Sequence, residues 1–327
     1  RSNTRTDFIR CEAAFRKNPS IVFTTVCPSV VGASQTVVSN RQGNASLQPE
    51  ESKNLTYGMV FETTFLPPEW GRVSFTADWW RVEQSHVVGI FGDDNHILLD
   101  YALRVQGSSN PAVVRAAPTP EDVTAFAGSG IAPVGQILFV NDNYFNLDQR
   151  SVQGWDFGFY YRLNDTPIGD FDFRINAAFL DKFFQGVSES GQVINAAAAA
   201  GQIRAVPVSG QGDLVRNYGR PEWRWTSSLT WKLGQWQAGW FTSYVGDVYD
   251  NFIKRDSDQA LWIIDSMQTH NLYVQYTLGD ERQTRLRLGV RNLTDEQPPL
   301  ADTNFGYLGD IDTGAGRFIY GSIRKTF

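Results

Sequence analysis

Between Asn54 and Phe327, hydrophobic and polar positions alternate in nine separate stretches. Leu55, Tyr57, Met59 and Phe61 oppose Thr56, Gly58, Val60 and Glu62. Beyond the tight Pro67-Pro68-Glu69-Trp70-Gly71 segment, Val73, Phe75, Ala77 and Trp79 oppose Ser74, Thr76 and Asp78. A side-chain period of two is that of a strand with one apolar face. Trp155, Phe157, Phe159 and Tyr161 repeat it, as do Phe171, Phe173, Ile175, Ala177 and Phe179. Trp223, Trp225, Leu229 and Trp231 oppose Arg224, Thr226, Ser228 and Thr230; past Gly234, Trp236, Ala238, Trp240 and Tyr244 oppose Gln237, Gly239 and Ser243. Leu272, Val274, Tyr276 and Leu278 follow, then Leu286, Leu288 and Val290 against Arg285, Arg287 and Arg291. The last stretch, Gly316 to Phe327, sets Ile319, Gly321, Ile323 and Phe327 against Tyr320, Ser322, Arg324 and Thr326, and ends on an aromatic residue.

The connections are sorted by length. Short turns at 67–71, 164–170, 234 and 279–282 alternate with long stretches at 86–149, 185–220, 247–266 and 293–315. Residues 1–53 show no sustained period and read as a loop, and the run Ala196 to Gly201 is long enough for one helical turn. A soluble β-sandwich has no reason to sort its connections. Bacterial outer-membrane barrels have short periplasmic turns, long extracellular loops and strands that are apolar outward and polar inward. The pattern therefore predicts an all-β, transmembrane, antiparallel up-and-down β-barrel architecture, with an extracellular loop segment at 1–53 and barrel strands and loops from 54 to 327.

Composition sharpens this. Ten Trp, twelve Tyr and twenty-two Phe suit aromatic girdles at two membrane interfaces. No apolar run approaches the roughly 18–20 residues of a spanning helix, so membrane residence has to come through strands. A net charge of -6 argues against a nucleic-acid surface. Cys11 and Cys27 share the polar N-terminal segment without a CxxC spacing and predict a loop-stapling disulfide, hence an oxidising compartment. The chain begins at Arg1 with no Met and no signal peptide, which leads us to expect a processed or incomplete product.

Parity leads to the same expectation. If the terminal strand ends in the periplasm, the strand starting near Asn54 runs inward too, and residues 1–53 lie outside the cell. An intact single-chain barrel has an even strand number, and unpaired edges in hydrocarbon cost several kcal/mol per backbone group. Nine strands thus require a companion that supplies an odd number.

Asn44-Ala45-Ser46-Leu47-Gln48-Pro49-Glu50-Glu51-Ser52-Lys53-Asn54, followed by Tyr57 and Gly58, resembles the N-x-x-L-x-P-E-x-S-x-N-x-x-x-G signature of TonB-dependent outer-membrane receptors. Gly289-Val290-Arg291-Asn292-Leu293-Thr294-Asp295 is similar to that family's motif near the C-terminus, and Gly316-Arg317-Phe318 with Lys325-Thr326-Phe327 to its final strand. The resemblance implies a 22-stranded barrel, a lumen-filling plug and energy from TonB-ExbB-ExbD. Nothing in the sequence resembles the plug or the TonB box. The companion, or N-terminal portion, would then carry the plug and about thirteen strands, and Phe327 would be the barrel-assembly signal.

We find no catalytic constellation and no cofactor motif. His86, His96 and His270 lie far apart, with no P-loop or Rossmann glycines, so neither an enzyme nor a metal site is expected. Asp93-Asp94-Asn95 lacks the spacing of a calcium loop and reads as a polar turn. Gly154 and Gly158 suit a kink in a barrel strand. Ligand recognition falls to aromatic residues of the long loops: Tyr144, Phe145, Tyr249, Phe252, Trp262, Phe305 and Tyr307. Loop-on-loop packing is an equal explanation for any one of them. Two function classes follow: energised uptake of a scarce ligand, such as a ferric siderophore or an oligosaccharide, or a passive or structural barrel piece. A soluble carbohydrate-binding β-protein is the third, and requires that no detergent be needed.

Overall fold

The computed structural model describes residues 2–19, 27, 30–204, 208–254, 261–279, 284–303 and 305–326, the side chains of 252–254 excepted. In chain order its elements are β1 (Ser2–Thr6), α1 (Phe8–Lys17), β2 (Ser34–Asn40), β3 (Glu51–Glu62), β4 (Arg72–Ser85), β5 (Val87–Gly89), α2 (Asp93–Arg104), β6 (Val113–Arg115) and α3 (Pro120–Phe126). Then come β7 (Ile137–Asn141), β8 (Phe145–Leu147), β9 (Arg150–Leu163), β10 (Asp170–Gln185), α4 (Glu189–Ala199), β11 (Gly212–Asp213), β12 (Trp223–Leu233) and β13 (Trp236–Val245). The last five are β14 (Val248–Lys254), β15 (Leu261–Ile264), β16 (Met267–Leu278), β17 (Thr284–Arg291) and β18 (Phe318–Lys325). They fall into two units: residues 1–52, 83–150 and 185–212 in the first, and 53–82, 151–184 and 213–327 in the second.

The second unit is the sheet that the alternation predicts. Its path is β18-β17-β16-β13-β12-β10-β9-β4-β3, nine strands, with the short β11 added to β10. Register carries the apolar face across the strands. Phe173, Leu229, Trp240, Leu272, Val290 and Ile319 form one row, and Phe171, Trp231, Ala238, Val274, Leu288 and Gly321 the next. Aromatic pairs bracket these rows: Trp236 with Tyr276 at 4.7 Å between ring centroids on one side, Trp225 with Tyr244 at 5.4 Å on the other. From Leu233, beside Trp236, to Trp225 is eight residues. At about 3.4 Å per residue and a tilt of about 40°, that spans roughly 21 Å of membrane normal, close to the apolar band of an outer-membrane barrel. Large apolar side chains on this face, such as Leu288 (63 %) and Ile323 (78 %), are exposed.

The opposite face is polar and internally bonded. Arg162 and Arg174 both contact Asp172 at 2.8 Å, Gln237 donates to the Tyr273 hydroxyl at 2.7 Å, and Arg287 donates to Gln275 at 2.8 Å. Gly154 is needed for close approach: a Cβ there would sit 2.8 Å from the Trp80 ring on the neighbouring strand. The turn at Asp280-Glu281-Arg282 lies outside the described residues, as does the terminal Phe327.

Regular structure where the sequence reads as loop is the main correction. Residues 1–53 contain β1, α1 and β2, and the long stretch 86–149 contains α2, α3 and four short strands besides. In the first unit β1-β2-β7-β6 form a four-stranded sheet, antiparallel except for the parallel β2–β7 pair. β2 alternates strictly, with Gln35, Val37 and Ser39 buried, but two of those three are polar, so hydropathy alone hides it. The alanine run is the end of α4, an eleven-residue helix whose N-cap Ser188 accepts from Gly191 N. Asp93-Asp94-Asn95 is the first turn of α2 instead of a free turn, where acidic side chains meet the positive end of the helix dipole. The stretch 247–266 likewise holds the β14–β15 ribbon.

Two apolar clusters hold the first unit, one around Ile9, Leu98, Tyr101 and Ile194, the other around Val37, Ile97 and Val140. The same unit holds a buried ionic network. Asp7 receives both ends of the Arg115 guanidinium, at 2.7 and 2.8 Å, and Arg10 at 3.3 Å. Arg115 also reaches Asp100 at 3.0 Å, and Arg10 reaches Asp122 at 2.8 Å.

Cys11 and Cys27 are joined, with Cα atoms 5.2 Å apart. Intact mass with alkylation is expected to show no free thiol until a reductant is added; two free thiols in fresh protein would contradict the bond.

Asp93 is buried in the same unit. Burial pushes its carboxyl up, but hydrogen bonds from Arg5 (2.8 Å), Ser39 (2.6 Å) and Asn3, with the Arg5 charge, outweigh it and hold the group at about 2. A depressed carboxylate stabilises the fold fully above its ordinary pKa, and the contribution is lost as pH falls through the folded value. Between pH 5 and pH 2 the opening free energy of α2 is expected to drop by roughly 2 kcal/mol more in the wild type than in Asp93→Asn. Amide hydrogen exchange over Asp93–Arg104, corrected for intrinsic rates, reads it; equal drops in both proteins would refute the assignment.

Candidate functional site

The polar face of the nine-strand sheet is where chemistry collects. At the end of the strands that leads into the long connections, Thr76, Asp78, Asp156, Asn176, Arg224, Thr226 and Ser243 line a cavity of about 550 Å³, closed on one side by Asp310 and Ile311. The positions come from five strands whose alternation places one residue in two on this face. Asp310 and Ile311 belong to the connection 293–315, which is pinned at its base. Buried Asn292 donates to Glu296 O at 2.8 Å and Ala315 O at 3.3 Å, and Asp295 accepts from Arg317 N at 2.7 Å. Asn292 (φ 48°) and Asp295 (φ 59°) both hold left-handed backbone, which these short polar residues tolerate better than most. That is the physical content of the Asn292-Leu293-Thr294-Asp295 motif. Burial raises the Asp312 carboxyl, and the positive charge of Arg224 pulls it part of the way back.

Of the aromatic candidates, five fall on connections of this same unit. Tyr249 lies under the Arg216 guanidinium, 4.4 Å from its ring centre, and accepts from it at 3.1 Å. Trp262 stands opposite Asp250 in the β14–β15 ribbon and is exposed. Phe305 is 78 % exposed, and its ring centre is 6.3 Å from that of Tyr307. The two connections are tied together where Asp302 N donates to buried Asp250 at 2.8 Å. The Phe252 side chain lies outside the described residues. Tyr144 and Phe145 belong to the first unit, where Tyr144 is exposed and Phe145 packs against the larger apolar cluster. Asp78, Asp156, Arg224 and Asp310 were not singled out by sequence. On their strands Asp78, Asp156 and Arg224 look like any solvent-facing position, and only register across several strands gathers them; Asp310 comes from a connection.

The model for the β-barrel of TonB dependent receptor-like proteins matches residues 14–293. The chain belongs to the TonB-dependent receptor family. Solved structures agree in fold. The siderophore receptor PirA from Acinetobacter baumannii superposes with a TM-score of 0.50 at 15% identity, covering 88% of this chain and 33% of PirA. The ferric enterobactin receptor PfeA from Pseudomonas aeruginosa, in a mutant form, gives 0.50 at 14% identity over 90% of this chain and 33% of PfeA. The FrpB iron transporter from Neisseria meningitidis gives 0.50 at 10% identity, again over 88% and 33%. The chain therefore spans about a third of the length of the solved receptors it matches. Among curated proteins none matches. For a TonB-dependent receptor barrel, the two faces of the sheet acquire names: the apolar face is the lipid side and the polar face the lumen.

Proposed function

We propose that this chain forms the C-terminal part of the barrel of a TonB-dependent outer-membrane transporter, which takes up a scarce ligand such as a ferric siderophore, an oligosaccharide or a similar nutrient. The observation that carries the reading is the family match combined with a sheet that is apolar on one face and charged on the other. The names of the similar structures, siderophore and iron receptors, lend weight to the iron-chelate class. In this reading the long connections and residues 1–53 are extracellular, the short turns and Phe327 periplasmic, and Phe327 serves barrel assembly. β3 and β18 end the sheet path among the described residues, so further strands, on the same or another polypeptide, close the wall in hydrocarbon. A plug fills the lumen and TonB-ExbB-ExbD supplies the energy through it. Ligand meets the long connections first, where Trp262, Phe305 and Tyr144 have exposed rings, with Tyr249, Phe252, Tyr307 and Phe145 beside them in sequence.

The test is uptake by cells carrying the complete receptor, with TonB present or deleted, using labelled ferric catecholates, ferric hydroxamates and maltodextrins. Accumulation of one class that disappears without TonB is the expected result. Uptake at the same rate without TonB would instead support a passive barrel.

A further inference from the structure

The lipid face is not apolar throughout. One row inward from the Trp225–Tyr244 pair, Ser227, Thr242 and His270 stand side by side on β12, β13 and β16. The period of two puts them on the face of Leu229, Trp240 and Leu272. At about 3.4 Å per residue and a tilt of about 40°, the row lies about 5 Å nearer the midplane than the aromatic pair. An ionisable side chain at such a depth is costly and marks a site. His270 itself is held at both nitrogens. Gln268 Nε2, which can only donate, lies 3.1 Å from His270 Nε2, and His270 Nδ1 lies 2.9 Å from Thr242 Oγ1. Trp240 Nε1 donates to that same hydroxyl at 3.0 Å, and Thr242 is buried. Ser227 differs. It is partly exposed, and among the described residues its hydroxyl has no hydrogen-bond partner. Gln268, exposed at the next row out, keeps its second amide hydrogen.

We propose that this row seats an ester-linked lipid of the outer leaflet, with a carbonyl oxygen accepting from Ser227 Oγ and a neighbouring one from Gln268. The inference rests on the membrane placement in the transporter reading above and adds a lipid partner to it. Depth selects the occupant. Trp and Tyr girdles lie at the level of the headgroups, and the interfacial layer on each side of the hydrocarbon is about 5–8 Å thick. A row about 5 Å inside the girdle therefore meets the ester bonds that join head group to acyl chains. Hydrogen bonding agrees: an ester can only accept, and the row has an O–H and an N–H left to give. Four neighbouring strands, β10, β12, β13 and β16, build the seat from the middle of the sheet, so it does not depend on whatever closes the wall beyond β3 and β18.

The complete receptor is reconstituted in vesicles holding equal amounts of dioleoylphosphatidylcholine and its diether analogue, which keeps the chains and head group but has no carbonyls. After extraction in mild detergent, mass spectrometry counts the two lipids that stay bound. Ester over ether is expected to be about fivefold greater in wild type than in Ser227→Ala, the factor of one hydrogen bond, and to return in Ser227→Thr. Equal ratios in wild type and Ser227→Ala would overturn the seat. So would a Ser227→Cys receptor that cross-links to itself in membranes, which would put a second copy on the row. TonB-dependent uptake is scored on the same variants in cells. Uptake that needs TonB without an ester preference sinks only the lipid seat, whereas an ester preference with TonB-independent uptake sinks only the transport reading.

Discussion

Arginine in place of Leu288 is expected to destabilise the folded barrel in bilayers by roughly 2 kcal/mol, the cost of a cation on the lipid side between the midplane and the interface. Leu288 pairs with Val274 and Gly321 in the row between the Trp236–Tyr276 pair and the middle row of Leu272 and Val290, and 63 % of its surface is open. A soluble protein would tolerate arginine at so exposed a site. The control is Thr230→Arg, on the polar face directly across from Asp172. Asp172 is already shared by Arg162 and Arg174, but the new charge stays solvated on the polar face, so the change should stay within about 1 kcal/mol. Urea unfolding in lipid vesicles reads both. Equal effects at the two positions would remove the distinction between the faces, and a reversed order would mean a one-residue slip in register.

The second large effect belongs to the first unit. Arg115→Ala should cost roughly 2–3 kcal/mol, because it takes one of two charge partners from each of two buried carboxylates, leaving Arg10 to Asp7 and Arg104 to Asp100. Asp7 and Asp100 are essentially inaccessible, and Arg115 bridges them. The same principle says that removing the charges together costs much less, so Asp7→Asn with Asp100→Asn and Arg115→Met should recover most of the loss. Amide exchange across α2, which carries Asp100, measures both proteins. A single mutant as stable as wild type would show that the network is solvated and weak.

How much of this was legible in the sequence depends on element length. The nine strands of the sheet run from eight to sixteen residues, long enough for period two to show, and their partners are mostly adjacent in the chain. Sorting of connections then gave the barrel. The first unit escaped because its strands are three to seven residues long and its pairing is distant. β2 pairs with β7 about a hundred residues later, and three separate stretches of chain contribute. Its interior is also partly ionic: Asp7, Asp93, Asp100 and Asp142 are buried, and acidic residues in a Gly- and Pro-punctuated stretch read as surface loop. In the candidate site, aromatic content pointed to Trp262 and Phe305, which are exposed on connections. Tyr249 and Phe145, identical in type, are engaged by Arg216 and by the apolar cluster. Residue type cannot separate those cases; contact can. The Asp78, Asp156 and Arg224 group needed cross-strand register, which a single strand does not contain.

The central claim is that one face of this sheet meets lipid and the other a polar lumen. A nitroxide scan along β17, one residue at a time from Thr284 to Arg291, tests it most directly in the complete receptor reconstituted in bilayers. Accessibility to oxygen, which concentrates in lipid, should peak at positions 286, 288 and 290, while a water-soluble nickel chelate should reach, if either, only 285, 287, 289 and 291. The two profiles should alternate out of phase with period two. Oxygen maxima at 285, 287 and 289, or flat profiles, would contradict the account.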